Sequence, residues 1–118
     1  MGIKQDLESL NGSFLDCGAL FVSTNGGLLS GYCNCEVLFP HYELMSKYVA
    51  DLIQPYLEEV EIFACPATGD IVLAQYATIL ANQAGKKTKA VWADKLSGRR
   101  YEIERNGFPE VVKGKKVL

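Results

Sequence analysis

Apolar and polar residues follow one another along the chain with two different periods, and the period identifies the element. Ile3, Leu7 and Leu10 fall three and four apart, so residues 3–10 predict a short helix that Asn11-Gly12 ends. Phe14 to Ser23 predicts a helical turn passing into an extended segment, followed by a turn at Thr24-Asn25-Gly26-Gly27 whose glycines permit positive φ. Leu28 to Phe39 predicts strands, stopped by Pro40-His41. The longest helix is predicted from about Tyr42 to Val60, where Leu44, Met45, Tyr48, Val49, Leu52, Ile53, Tyr56 and Leu57 recur at three and four. Pro55 has no N–H to give the helical ladder and predicts a kink or break there.

The second half has a different rhythm. Glu61-Ile62-Phe63-Ala64-Cys65-Pro66 predicts a short buried strand, Ala67-Thr68-Gly69 a tight loop, and Asp70 to Ala84 a helix with Gly85 as its C-terminal cap. Thr88 to Ala93 predicts a second buried strand, Asp94 to Arg100 a charged loop, Tyr101 to Glu104 an alternating strand, and Arg105-Asn106-Gly107-Phe108 a turn. Lys113-Gly114-Lys115-Lys116 then enters a strand represented by Val117-Leu118 alone, against the about five or six residues typical of strands. Strand, helix, strand, strand is the order of an α/β sheet that continues through a further crossover, so a truncated chain is expected.

Length and composition narrow the class. With 118 residues, 48% of them hydrophobic, a single domain is expected, able to bury roughly two-thirds of its unfolded surface without disulfides or metal. No apolar run approaches the roughly 18 to 20 residues of a membrane span, and the first residues lack the basic, apolar and small succession of a signal peptide. The expected location is cytoplasmic, with no membrane partner. The net charge of −2 conceals an asymmetry: residues 1–85 carry two basic and ten acidic side chains, residues 86–118 ten basic and four acidic. Such a concentration of cations attracts anions, or is simply a solvated surface. It is not interleaved with aromatics that stack bases, so nucleic acid is not expected and a small phosphorylated ligand fits better.

Cys17, Cys33, Cys35 and Cys65 form no C-x-x-C pair, and the single histidine, His41, lies in a Pro-His-Tyr turn. Zinc spacing is absent and no metal-ligating set is expected from these residues. Cys33 and Cys35, two apart in an alternating stretch, are expected to share one face of a strand as small packing residues. The strand, small-residue loop and helix around Thr68 carry the clearest chemical signal. Unpaired N–H groups and the helix dipole at such a junction favour an anion, and Gly69 lets a phosphate approach the backbone closely. A plain strand-to-helix turn with Thr68 as N-cap explains the same residues. Neither G-x-x-x-x-G-K-[ST] nor G-x-G-x-x-G is present.

Phe63-Ala64-Cys65-Pro66-Ala67-Thr68-Gly69-Asp70-Ile71-Val72-Leu73-Ala74 resembles the pyrophosphate loop of orotate phosphoribosyltransferases, typically G-P-A-x-G-G-I-x-L-A. Phe21 to Asn34 resembles the family's hood segment, F-x-L-x-S-G-x-x-S-x-x-Y-x-N. Ala90 to Lys95, Arg99-Arg100 and Glu104 to Phe108 resemble its mobile catalytic loop and the hairpin after it. Val112 to Leu118 resembles the lead into the strand bearing the phosphoribosyl pyrophosphate signature, V-[DE]-D-x-x-[ST]-T-G-G. The resemblance implies an α/β fold of the type I phosphoribosyltransferase kind: a parallel sheet flanked by helices, with a hood over residues 1–40 and the first part of the core over 41–118.

It further implies transfer of ribose 5-phosphate from phosphoribosyl pyrophosphate, with Mg²⁺, to orotate, in a homodimer. Lys95, Arg99, Arg100 and Arg105 lie where the family's loop supplies cations to the leaving group; Ala67, Thr68, Gly69 and Asp70 would hold pyrophosphate. Thr24, Asn25, Gly26, Tyr32 and Asn34 fall in the segment that meets the base. The acidic pair and Thr-Gly-Gly of the signature are absent, so this chain by itself is expected to be inactive. Thr24 stands where many relatives have lysine and Gly27-Leu28-Leu29 replaces a more polar stretch, which makes a phosphoribosyltransferase for another base an alternative. Asp70 replaces a glycine of the pyrophosphate loop and, with the missing signature, favours a non-catalytic binding or regulatory module as the alternative.

Overall fold

The computed structural model describes residues 2–13, 18–98 and 100–118. The chain forms two compact units, Met1–Leu44 and Met45–Leu118. The first begins with α1 (Ile3–Ser9), as the spacing predicts. A two-stranded antiparallel hairpin follows, β1 (Phe21–Val22) against β2 (Leu28–Leu29), closed by the expected turn at Thr24–Gly27. The start of the segment expected to form a helical turn, at Phe14, lies outside the described residues.

The strands expected from Leu28 to Phe39 stop at Leu29. Cys35–Leu38 is instead a 3-10 turn, because the Asn34 side chain accepts the Glu36 N–H at 3.0 Å and bends the chain out of the extended form. Cys33 and Cys35 consequently share no strand face, and both are exposed. Gly12 fixes this unit's centre. Its N–H donates to Leu7 O at 2.7 Å, its carbonyl accepts from Asn34 N at 2.7 Å, and an added Cβ would sit 2.7 Å from Asn34 O and against Val37.

The boundary between the units falls within α2 (Tyr42–Ile53). That helix ends in a 3-10 turn, Gln54–Tyr56, so the expected break at Pro55 is present. In the second unit β3 (Ile62–Pro66), α3 (Ile71–Gln83) and β4 (Lys89–Lys95) make a strand-helix-strand unit with β3 and β4 parallel, Ile62 opposite Lys89 and Pro66 opposite Ala93. Ala74, Ala77 and Ala81 are buried along α3, small enough to let the helix approach the sheet closely. Asn82 and Thr78 of α3 bind Thr88 just before β4, with the two threonine hydroxyls 2.9 Å apart. Met45, Val49 and Ile53 of α2 are buried with Ile62, Phe63 and Val91 of the sheet.

β5 (Tyr101–Glu102) pairs antiparallel with the end of β4, so the sheet is mixed rather than purely parallel. β4 runs on through Asp94 and Lys95, which the sequence placed in a loop. After Gly107, at φ 90°, the chain forms α4 (Phe108–Val112) where only a turn was expected; Pro109 in its first turn has the φ a helix start requires. Val117 bridges Ile62 in parallel on the free edge of β3, with Leu118 N donating to Ile62 O and Ala64 N to Leu118 O, both at 2.9 Å. No helix among the described residues is long and apolar enough to cross a membrane.

Candidate functional site

At Pro66 the chain leaves β3 and turns through Ala67–Asp70 into α3. The Ala67 N–H donates to Ala93 O at 2.8 Å, tying the turn to the C-terminal end of β4. Thr68 O accepts from Ile71 N and Asp70 O from Ala74 N, each at 3.2 Å, and the Ala67-Thr68 peptide is cis. Asp70 occupies the N-cap position and no side chain caps the helix, so Thr68 is not the N-cap. The N–H groups of Thr68, Gly69 and Asp70 donate to no group among the described residues, and all three residues are exposed. Donors of this kind at a helix start, at the carboxyl ends of parallel strands, are where α/β sheets take anions.

The cations divide into distinct environments. Lys95 is exposed and makes no ion pair among the described residues. It lies two residues beyond the Ala93 partner of Pro66, about 7 Å along the strand. Arg100 pairs with Glu102 of β5. Arg105 forks onto Asp94, Nε to Oδ2 at 2.8 Å and Nη2 to Oδ1 at 2.9 Å, and its guanidinium lies 5.3 Å from the centre of the Trp92 ring. Phe108 meets that ring edge-on at 4.8 Å. Hydrogen bonding to Arg105 holds the Asp94 carboxyl below its usual range, and Asp94 in turn raises the guanidinium's. Arg99 lies outside the described residues.

Two hollows flank the turn. An open one of about 400 Å³ is lined by Ala64, Cys65, Pro66, Ala93 and Tyr101; an apolar one of about 250 Å³ includes Pro66, Asp70, Leu73 and Leu118. The Cys65 thiol is pushed up, first by burial and then by the charge of Asp70, which leaves it a poor nucleophile. Among the described residues no group of three or more His, Cys, Asp or Glu side chains is placed to hold a metal ion.

The residues expected to meet a base belong to the first unit. Thr24, Asn25 and Gly26 form the β1–β2 turn, in which the Asn25 side-chain oxygen accepts from Gly27 N at 3.2 Å and bonds the Ser23 hydroxyl. Tyr32 packs on Phe21 with ring centres 5.8 Å apart, and Asn34 spends its side-chain oxygen on Glu36. Sequence reasoning missed Asp94 and Trp92 as partners of Arg105. An ion pair across eleven residues leaves no periodic trace, although a lone acid next to Lys95 was a clue.

No family model matches the sequence, and no curated protein matches it. Among solved structures the chain is similar in fold to the orotate phosphoribosyltransferase of Aeropyrum pernix, with a TM-score of 0.64 at 14% identity over 89% of this chain. The match covers 58% of that protein, so the chain spans less than two-thirds of its length. Parallel β3 and β4 joined through α3, with β5 antiparallel at the edge, make a mixed α/β fold similar to that of a phosphoribosyltransferase.

Proposed function

We propose that this chain grips the pyrophosphate group of phosphoribosyl pyrophosphate and belongs to an enzyme that transfers ribose 5-phosphate to orotate. One observation carries the reading: the undonated amides of Thr68, Gly69 and Asp70 stand at the carboxyl end of β3, joined by Ala67 to the end of β4 from which Lys95 projects. In the reaction a ring nitrogen of the base attacks C1′ of the sugar and gives up its proton to solvent. The bond from C1′ to the diphosphate oxygen breaks, and its electron pair leaves with pyrophosphate. Negative charge therefore grows on the leaving group, where N–H donors and a cation lower the barrier. The amides bind one phosphate, and Lys95 adds a mobile positive charge that Arg105, already paired with Asp94, does not.

Three charge-assisted hydrogen bonds at about 1.5–3 kcal/mol each, less the cost of ordering an exposed loop, suit a dissociation constant on the order of 1 mM for pyrophosphate alone. Mg²⁺ arriving with the diphosphate neutralises part of its charge; Asp70 is the loop's own carboxylate able to join such an ion. A second reading for the acceptor, a base other than orotate, rests on Leu28 and Leu29, exposed apolar residues of the hairpin where a more polar stretch would suit orotate's carboxylate. Titration calorimetry with phosphoribosyl pyrophosphate, pyrophosphate and orotate tests the proposal. Heat with the first two supports it, and no heat with either overturns it.

A further inference from the structure

Arg105 reaches back across eleven residues to Asp94 and occupies both oxygens of that carboxylate, at 2.8 and 2.9 Å. Trp92 lies beneath the same guanidinium and Phe108 closes the ring's edge. A guanidinium so engaged is poorly placed to bind an incoming anion itself. Its departure would strip Asp94 of its counter-charge and leave a part-buried carboxylate unpaired. Asp94 precedes Lys95 in β4, and successive strand side chains project to opposite faces. Holding Asp94 on one face therefore fixes the strand from which Lys95 projects on the other.

We infer that Arg105 is a positioning residue: through Asp94 and Trp92 it sets the place and freedom of Lys95, and it does not touch the anion. This role rests on the anion-binding reading given above. A double-mutant cycle on pyrophosphate affinity, measured by calorimetry on the full chain, tests it. Arg105→Ala and Lys95→Ala each weaken binding by about tenfold, and the double variant binds no more weakly than Lys95→Ala, because Arg105 acts only through that lysine. Multiplying losses in the double variant overturn the inference, since they mean that Arg105 contacts the anion independently.

Asp94→Asn gives a result of opposite sign for the two roles. Loss of the fork weakens pyrophosphate binding if the pair positions Lys95, whereas removal of a negative charge strengthens it if the pair acts only through its field. Stronger binding therefore overturns the inference. Should Arg105→Ala fail to fold, Arg105→Lys keeps the charge without the planar fork; it binds as weakly as Lys95→Ala if geometry matters, and full affinity in that variant again overturns the role. Absence of pyrophosphate binding by the unsubstituted chain removes both readings, whereas normal binding with a multiplying cycle removes this one alone.

Discussion

Asn82→Ala measures how firmly α3 is held against the start of β4, and hence how well the turn at the other end of that helix is anchored. The Asn82 side-chain nitrogen lies 2.7 Å from Thr78 O, 3.0 Å from Thr88 O and 3.0 Å from the Thr88 hydroxyl. That nitrogen carries two protons, so the three contacts amount to two hydrogen bonds at a time. At about 1 kcal/mol net each they contribute about 2 kcal/mol. Thr88 is only 7% exposed, and a buried acceptor deprived of its donor costs about 1 kcal/mol more. Alanine is the better helix former by about 0.5 kcal/mol, which offsets part of the loss.

The net destabilisation is about 2.5 kcal/mol, a fall in melting midpoint of about 10–20 °C for a unit of roughly 60–100 residues. Trp92, the single tryptophan, lies on β4 and reports the melt through its fluorescence. A fall of less than about 3 °C would refute the reasoning, because the net loss would then be under about 0.75 kcal/mol, less than a third of that expected.

Gly12→Ala lowers the stability of the first unit by about 1–3 kcal/mol, since the new methyl meets the Asn34 carbonyl and Val37; chemical denaturation followed by circular dichroism reads the change. The Asp94 carboxyl is held below its ordinary value of about 3.9 by Arg105, so the fork's contribution is complete above that pH and lost as pH falls through the lowered value. Trp92 emission followed by acid titration should shift below about pH 4 and stay level from there to neutrality. Cys65, part-buried with its thiol pushed up, should react with a maleimide more slowly than exposed Cys33 and Cys35, as mass spectrometry of partially labelled protein will show. Equal rates at all three would contradict the burial assigned to it.

Much of the second unit was legible in the sequence. The apolar run Ile62–Pro66, the glycine stop of α3 at Gly85 and the Pro55 break each reflect local chemistry acting within a few residues. What was not legible depended on partners distant in sequence. Asp94 and Lys95 became strand because Glu102 and Tyr101 pair with them, and the ion pair of Arg105 joins it to Asp94 across eleven residues. The Cys33 to Leu38 stretch failed for a different reason: one side-chain oxygen, on Asn34, competes with the backbone and turns an alternating sequence into a 3-10 turn. The tight turn Ala67–Asp70 was legible from its small residues, while the pairing of each cation was not.

Amide chemical-shift mapping during titration with pyrophosphate tests the central claim most directly. The account requires the largest changes at the N–H groups of Thr68, Gly69 and Asp70, with Lys95 following and Ala67, already bonded to Ala93, changing little. Shifts that instead gather around Lys87, Lys89 and Lys115, or none at millimolar pyrophosphate, would contradict it.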